Sequence, residues 1–393
     1  MERAVPALLA ALLVVASAGA VVGIAPPGPP TATTPVDGVS GNTTDVLRLE
    51  TIDASTFDRA TLVVTGALDA QSSAMVNAFT RYRVRTAFEA ASTPAAKRVV
   101  VRNASSWVRT RTAELLETER EARNRYVSGE LSARAYLATL GRLQMQATAV
   151  ERTARAVADL SSRVDADVDL ARILPDLQTL QGPIREGLAA AVRGEGASDR
   201  TFVAVSTNGF VLAQMSDGIY VRETVRYDNR DAAIGQLGFD RAEQRFNELY
   251  PWASAHKDRI SMGAVGPDVY VVEYTHTHGY IDAALDASTN QIFREVQRKR
   301  LAETPVVAAE TTVQNNTTVA VSPTYAGGPL RVNVTNRTGA PMTVPVAVNE
   351  TAVGTTGEDG TVWAISPAGT YNVTVETPQG PIRVAVTARA GEP

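Results

Sequence analysis

Between residues 93 and 164 apolar side chains recur at alternating spacings of three and four. One line runs through Tyr136, Leu140, Leu143, Ala147, Val150, Ala154, Val157, Ser161 and Val164. A second runs through Val101, Val108, Leu115, Ala122 and Tyr126, with Thr112 and Glu119 diluting it. This is the seam spacing of helices packed side by side, and it predicts two long antiparallel helices joined by one turn. Their ends are marked as well. Thr93-Pro94 combines a capping hydroxyl with a proline at the first helical position. Ser132, flanked by Leu131 and Tyr136, has the form of a cap with a hydrophobic staple, and Gly129 lies where the first helix must stop. Arg109, Arg111, Glu114, Glu117, Glu119, Arg120 and Glu121 occupy the remaining positions, where i,i+4 pairs on solvated faces are expected.

The same period extends to both sides. Residues 60–64 are β-prone, but Met75, Phe79, Tyr82 and Phe88 have helical spacing over 71–91. After an acidic break at 165–169, Leu177, Leu180, Ile184, Leu188 and Val192 predict shorter helical pieces broken at Gly182-Pro183. The expected unit is a helical domain over 50–195 that contains the hairpin 93–164 and satisfies its seam internally. The Gly-rich, polar stretch 193–198 bounds it.

Beyond it the period changes. Residues 201–205, 210–214 and 219–222 read as strands, with Asn208-Gly209 and Asp217-Gly218 as turns. A helix over 239–250 follows, then strands at 269–275 and 280–285 that reverse at Thr277-His278-Gly279. Residues 286–292 form a polar turn feeding a last strand or helix. This is an α+β domain over 200–302. Residues 303–318 read as a linker, and 319–390 as about seven short strands with alternating patterning, a small sandwich. The fold class is therefore multi-domain α + β, with a helical N-terminal part, an α+β middle and an all-β C-terminal sandwich.

The N-terminus sets the expected compartment. Met1-Glu2-Arg3 precedes an uncharged apolar run over 4–25, with small-x-small patterns at Ala16-Ser17-Ala18 and Ala18-Gly19-Ala20. At about 22 residues the run serves either as a cleaved signal peptide or as a membrane anchor. Residues 26–49 form a Pro/Thr-rich linker expected to be extended and disordered. The protein is accordingly expected at the cell surface or outside the cell, meeting membrane only through residues 4–25. Asn-x-Ser/Thr sequons at Asn42, Asn103, Asn315, Asn316, Asn333, Asn336, Asn349 and Asn372 suit a glycoprotein. The chain has 393 residues, a net charge of −4 and no cysteine. That charge implies no nucleic-acid partner, and the missing thiols exclude disulfides, thiolate zinc sites and cysteine nucleophiles. Arginine greatly outnumbers lysine, which occurs only at Lys97, Lys257 and Lys299.

Three resemblances follow from particular residues. The helix, the strand Val-Tyr-Val-Val-Glu-Tyr and the second strand ending Asp286-Ala287-Ser288-Thr289-Asn290-Gln291-Ile292 resemble a PepSY-type module, with Asn290 where such modules carry glycine. That likeness implies a binding or inhibitory fold on an exported protein. Asp359-Gly360-Thr361 and Pro367-Ala368-Gly369-Thr370-Tyr371 resemble the Ig-like or carboxypeptidase-regulatory-like modules of exported proteins. Leader, arginine bias, helical domain and sandwich together resemble exported surface proteins of haloarchaea, although those are usually more acidic.

Candidate chemistry is sparse. His276 and His278 share a strand face and could both meet a metal ion. Gly279 ends the strand there, so the pair is expected at an exposed hairpin tip, with Glu273 nearby and His256 elsewhere. Asp282 and Asp286 could be an acid–base pair but suit turn formation better. Trp107, Trp252 and Trp363, one to each module, suit core packing. No phosphate loop, His-Glu-x-x-His run or Gly-x-Ser-x-Gly elbow is present. The reading is a monomeric, non-enzymatic surface protein without cofactor, built from modules that bind a protein partner on the cell envelope. The alternative is a regulator of an envelope peptidase or sensor, acting through the middle module.

Overall fold

The computed structural model describes residues 44–168, 170–231, 235, 237–305 and 309–389, leaving aside the side chains of 64–71. The apolar run 4–25, most of the linker and Asn42 lie outside the described residues. An eight-stranded antiparallel sheet lies at the centre, in the order β1-β2-β3-β4-β8-β7-β6-β5. Its strands are β1 (Ala54–Asp58), β2 (Thr201–Ser206), β3 (Gly209–Ser216), β4 (Ile219–Arg226), β5 (Lys257–Ala264), β6 (Val269–His276), β7 (Gly279–Asp286) and β8 (Gln291–Arg300). Two expectations change here. Residues 54–58 are not part of a separate helical unit; they pair with β2 as the edge of this sheet. Residues 257–264, which no strand was assigned to, form the opposite edge.

The N-terminal helices are α1 (Val64–Ala90), α2 (Pro94–Val127) and α3 (Ala133–Ser162). The first begins at 64, inside the stretch that reads as β-prone. Its neighbours are capped as their hydroxyls dictate: Thr93 accepts from the Ala96 amide at 3.2 Å and Ser132 from the Ala135 amide at 3.3 Å. Arg98 reaches the Val164 carbonyl, Arg111 reaches Gln146 and Glu119 meets Tyr136, so α2 and α3 run in opposite directions. Helices α4 (Ile173–Thr179) and α5 (Pro183–Arg193) complete this part.

One face of the sheet is covered by α3 and α5. Tyr136, Leu137 and Leu140 of α3 and Ile184, Leu188 and Ala191 of α5 pack on Val203, Val205, Phe210 and Leu212. Three different elements share the other face. Helices α6 (Phe239–Leu249) and α7 (Pro251–Ala255) cover β6–β8 through Phe246, Tyr250 and Ala253. The extended segment 44–49 crosses β4 and β8, with Thr44, Val46 and Leu49 buried. The C-terminal sandwich covers β2–β4, its aliphatic core running on into Phe202, Ala204, Val211 and Tyr220.

That sandwich has eight strands. One sheet has the order β14-β11-β10-β9 and the other β13-β12-β15-β16. They are β9 (Glu310–Gln314), β10 (Thr317–Ser322), β11 (Pro329–Asn336), β12 (Pro345–Val348), β13 (Thr351–Thr355), β14 (Thr361–Ile365), β15 (Thr370–Thr377) and β16 (Gly380–Thr387). The stretch 303–318 is thus not a plain linker: β9 lies inside it and pairs with β10 across a turn in which Asn315 and Asn316 both take positive φ. Asparagine tolerates that conformation, so a polar, Thr-rich stretch can hide a hairpin. Among the described residues no helix is long and apolar enough to cross a membrane.

Candidate binding cleft

A cleft of about 750 Å³ opens where the sandwich meets the edge of the central sheet. One wall comes from β1 and the ends of β2 and β3, with Ser55, Phe57, Arg59, Asp199, Arg200 and Asp217. The other comes from the β12–β13 turn and the end of β14, with Asn349, Ala352, Trp363, Ile365 and Pro367. Phe57 packs edge-on to Phe202 with ring centroids 5.2 Å apart, and the Arg200 guanidinium lies 4.4 Å over the Phe57 ring. Burial, with the neighbouring Arg59 charge adding to it, holds the Arg200 pKa below its ordinary value. Among the described residues neither arginine forms an ion pair, although Asp199 and Asp217 stand on the same rim. The Ser55, Thr56 and Ser216 hydroxyls line the cleft with no histidine or lysine beside them. The chemistry on offer is an aromatic floor and two cations, suited to holding an extended or planar group with an anionic end.

Fixed geometry at this junction begins with Gly327. Its φ of +77°, and a Phe202 ring atom 2.6 Å from where a Cβ would stand, admit no side chain. Its carbonyl accepts from the buried Tyr220 hydroxyl at 2.7 Å. The sandwich is therefore docked on the sheet through both apolar packing and a buried hydrogen bond.

The histidines form a different arrangement from the expected one. His276 is not at an exposed tip; it is 1% exposed, because α7 folds back over the β6–β7 turn. Trp252 of α7 stacks between His256, 4.5 Å away, and His278, 4.8 Å away, while His276 meets its edge at 5.3 Å. Trp252 is therefore a stacking partner rather than only a core filler. His276 Nδ1 accepts from the His278 amide, and its Nε2 is buried without a hydrogen-bond partner. Burial, and then the Lys299 charge, push the His276 pKa down to about 4. The rings of His276 and His278 are nearly perpendicular, 5.8 Å apart, and converge on tryptophan rather than on one point. Glu273 lies on the opposite face of β6. Among the described residues no three acidic or histidine side chains are grouped to hold a metal ion.

Buried charge elsewhere is structural. Arg185 is buried against Glu223 at 2.9 Å and also donates to the Thr179 and Gln181 carbonyls, while Glu223 takes the Ile184 amide at the start of α5. Glu119, on the seam by its spacing but expected among the solvated charges by its chemistry, is buried: it accepts from the Tyr136 hydroxyl at 3.2 Å and sits 3.4 Å from Arg123. Burial raises its pKa, and Arg123 continues to the Thr207 carbonyl on the sheet. On the other face Glu295 accepts from Arg222, from the Tyr250 hydroxyl and from the Leu47 amide. Lys299 lies beside it, its pKa lowered to about 8, chiefly by burial. Segment 44–49 is held by this network, Gln297 donating to the Asp45 carbonyl.

The remaining sequence candidates disperse. Asp282 pairs with Arg294 at 2.7 Å, whereas Asp286 accepts the Ser288 and Thr289 amides and Arg230. The first is half of an ion pair and the second a turn former, so they do not act as a couple. Asn103, Asn315, Asn316, Asn349 and Asn372 are exposed; Asn333 and Asn336 are half-buried. Asn333 donates to the Thr361 hydroxyl and Asn336 accepts the Thr338 and Ala340 amides.

The cleft escaped the sequence because its walls come from stretches near 57, 200 and 350, which no local pattern links. The one local sign was Asp199-Arg200, polar residues directly after the Gly-rich boundary.

Comparison with known proteins gives three family matches. Residues 308–384 match an archaeal fibronectin-III type-like domain, the sandwich described above. Residues 201–305 match a family of unknown function, DUF7094, which comprises β2–β8 with α6 and α7. No curated protein matches the chain. These matches fit an archaeal multi-domain protein, with N-terminal helices, a middle sheet and an all-β C-terminal part. The match to DUF7096, a domain of unknown function, covers residues 1–197 of the 393, half of the chain, and the protein belongs to that family.

Proposed function

We propose that the protein is an exported, non-enzymatic binding protein of the cell surface, whose partner is another envelope protein seated in the cleft between central sheet and sandwich. The observation that carries the reading is the pair Arg59 and Arg200, which share a 750 Å³ cleft with Phe57 and Trp363 and have no ion-pair partner among the described residues. Placing two cations together without an ion pair to either rim carboxylate costs stability that an acidic ligand segment would return. The apolar run 4–25 supplies the export signal or the tether, and the sequons exposed on the sandwich suit a glycosylated outer face.

Photo-crosslinking in intact cells tests this, with the reactive group at Ala352 in the cleft. A discrete adduct that disappears in the Arg59→Glu/Arg200→Glu variant is expected. An adduct pattern indifferent to that charge reversal, or a chain protected from external protease on whole cells, removes the reading.

A second reading rests on the turn after β7. Asn290 has a φ of +58°, the left-handed conformation that the glycine of a PepSY-type module supplies. On this reading the middle strands regulate an envelope peptidase or sensor. Inhibition of a purified envelope peptidase by the full chain, with loss of inhibition in a variant altered on β5, would favour it over the cleft.

A further inference from the structure

Helix α1 is apolar on two opposite sides. Phe88 is buried against the helical core, with Val84 half-buried beside it. The opposite side carries Met75 at 66%, Phe79 at 60% and Tyr82 at 66% exposure, with Val76 at 55% beside them. Positions 75, 79, 82 and 86 fall on one line of the helix, so the ridge points directly away from the body. A soluble helix with one covered side leaves such a side polar. Here four large apolar side chains stand together in water, which marks a surface that is covered in use.

Charge says what covers it. From residue 72 to 105 the cations are Arg81, Arg83, Arg85, Lys97, Arg98 and Arg102, and the only carboxylate is Glu89, in a chain whose net charge is −4. On α1 the ridge is bordered by Arg83 on one flank, its guanidinium 5.8 Å from the Phe79 ring, and by Arg85 on the other, paired with Glu89 at 3.0 Å. The carboxylates Asp159, Asp165 and Asp167 lie on and after α3, the helix that the inner side of α1 covers. An apolar, aromatic ridge between arginines is the pattern of a helix that lies in a membrane interface, rings among the acyl chains and guanidinium groups at anionic headgroups. A second copy packed ridge to ridge would oppose Arg83 to Arg83 and Arg85 to Arg85. The linker over 26–43 spans up to about 60 Å when extended, ample for the body to lie flat beside a bilayer holding residues 4–25. Nothing in the ridge itself depends on that anchor.

We infer that α1 is a lipid-facing helix: the helical body rests sideways on an anionic membrane surface through Met75, Phe79 and Tyr82, with Arg83 and Arg85 at the headgroups. The contact orients the molecule, so that the cleft is presented at a fixed height instead of sweeping freely on its tether.

The cysteine-free chain allows a direct test on the full-length protein. A single Phe79→Cys, and separately Thr86→Cys on the same line, carries an environment-sensitive dye; Glu117→Cys on α2 serves as the reference site. Vesicles of phosphatidylglycerol or of phosphatidylcholine are added, with and without lipid-borne quencher. Co-flotation reports the anchor at 4–25, and the dye reports α1. The expected result is a blue shift and strong quenching at 79 and 86, at least fivefold larger with phosphatidylglycerol than with phosphatidylcholine, and none at 117. Replacing Arg83 and Arg85 by glutamate should abolish the response while flotation persists. Flotation without a response at 79 and 86 overturns the inference and leaves the anchor intact. Equal responses on the two lipids, or a vesicle-independent shift that rises with protein concentration as the mass doubles, overturn it in favour of a non-ionic surface or a second copy. Absence of both flotation and response overturns the inference and the anchor together.

Discussion

The two β regions of this protein bury very different interiors. Inside the sandwich Val319, Val321, Val332, Val346, Val373, Val375 and Ile382 form an almost wholly aliphatic core, whose buried polar contacts are between hydroxyls and their neighbours, Ser366 with Tyr371 and Thr356 with the Val344 amide. The central sheet is instead flanked by buried charge on both faces: Arg185 with Glu223 on one, Arg222, Glu295 and Lys299 on the other. Aliphatic packing is tolerant and non-directional. A buried ion pair adds little net stability but penalises any arrangement that leaves one member alone. The sandwich strands β10 to β16 pair largely with near neighbours in the chain, so packing alone suffices. The central sheet must bring together segments near 50, 185, 223, 250 and 295, and each is tied there by a charged group.

That contrast breaks first, and hardest, at Glu223. Replacing it with glutamine leaves the Arg185 guanidinium buried without its counter-ion, an expected loss of about 3–5 kcal/mol in urea denaturation. The paired Arg185→Met/Glu223→Leu variant should recover most of it. If the single and double variants fall equally, the pair is not what fixes this junction. In the sandwich, Val373→Ala removes two buried methyl groups and should cost about 2 kcal/mol, with no pH dependence. At the boundary between the regions, Tyr220→Phe deprives the Gly327 carbonyl of its donor. The expected loss is about 1–2 kcal/mol, together with faster proteolysis between residues 300 and 310.

The smallest effect is in pH. His276 takes up a proton near 6.5 when unfolded but only near 4 when folded. Stability is therefore complete above about 6.5 and declines as pH falls toward 4, a slope that His276→Gln should flatten. Lys299, at about 8 folded against 10.5 unfolded, works in the alkaline range: stability rises as pH climbs from about 8 to about 10.5. Lys299→Met removes that rise. Val373→Ala should leave both slopes unchanged.

The legible parts of the chain were those decided within one turn of helix or one hairpin. Thr93, Pro94 and Ser132 cap as their side chains and ring geometry require, and Asp217-Gly218 turns because both residues accept positive φ. Glu119 shows the limit. By spacing it belongs to the seam and by chemistry to the solvent, and only the arrival of Tyr136 and Arg123 decides for the seam. Likewise Thr317 and Asn315 read as a polar linker until β9 finds β10.

Local hydrogen bonding and hydrophobic period, acting over a few residues, thus determined the helices, the middle strands and the all-β C-terminus, because their energies are settled among neighbours in the chain. Tertiary structure alone decided that residues 54–58 join the central sheet and 44–49 cross its face, that His276 is buried under Trp252, and that Arg59, Arg200 and Trp363 share one cleft. Those outcomes depend on desolvation and on contacts between segments well separated in the chain, quantities that no local window of sequence contains.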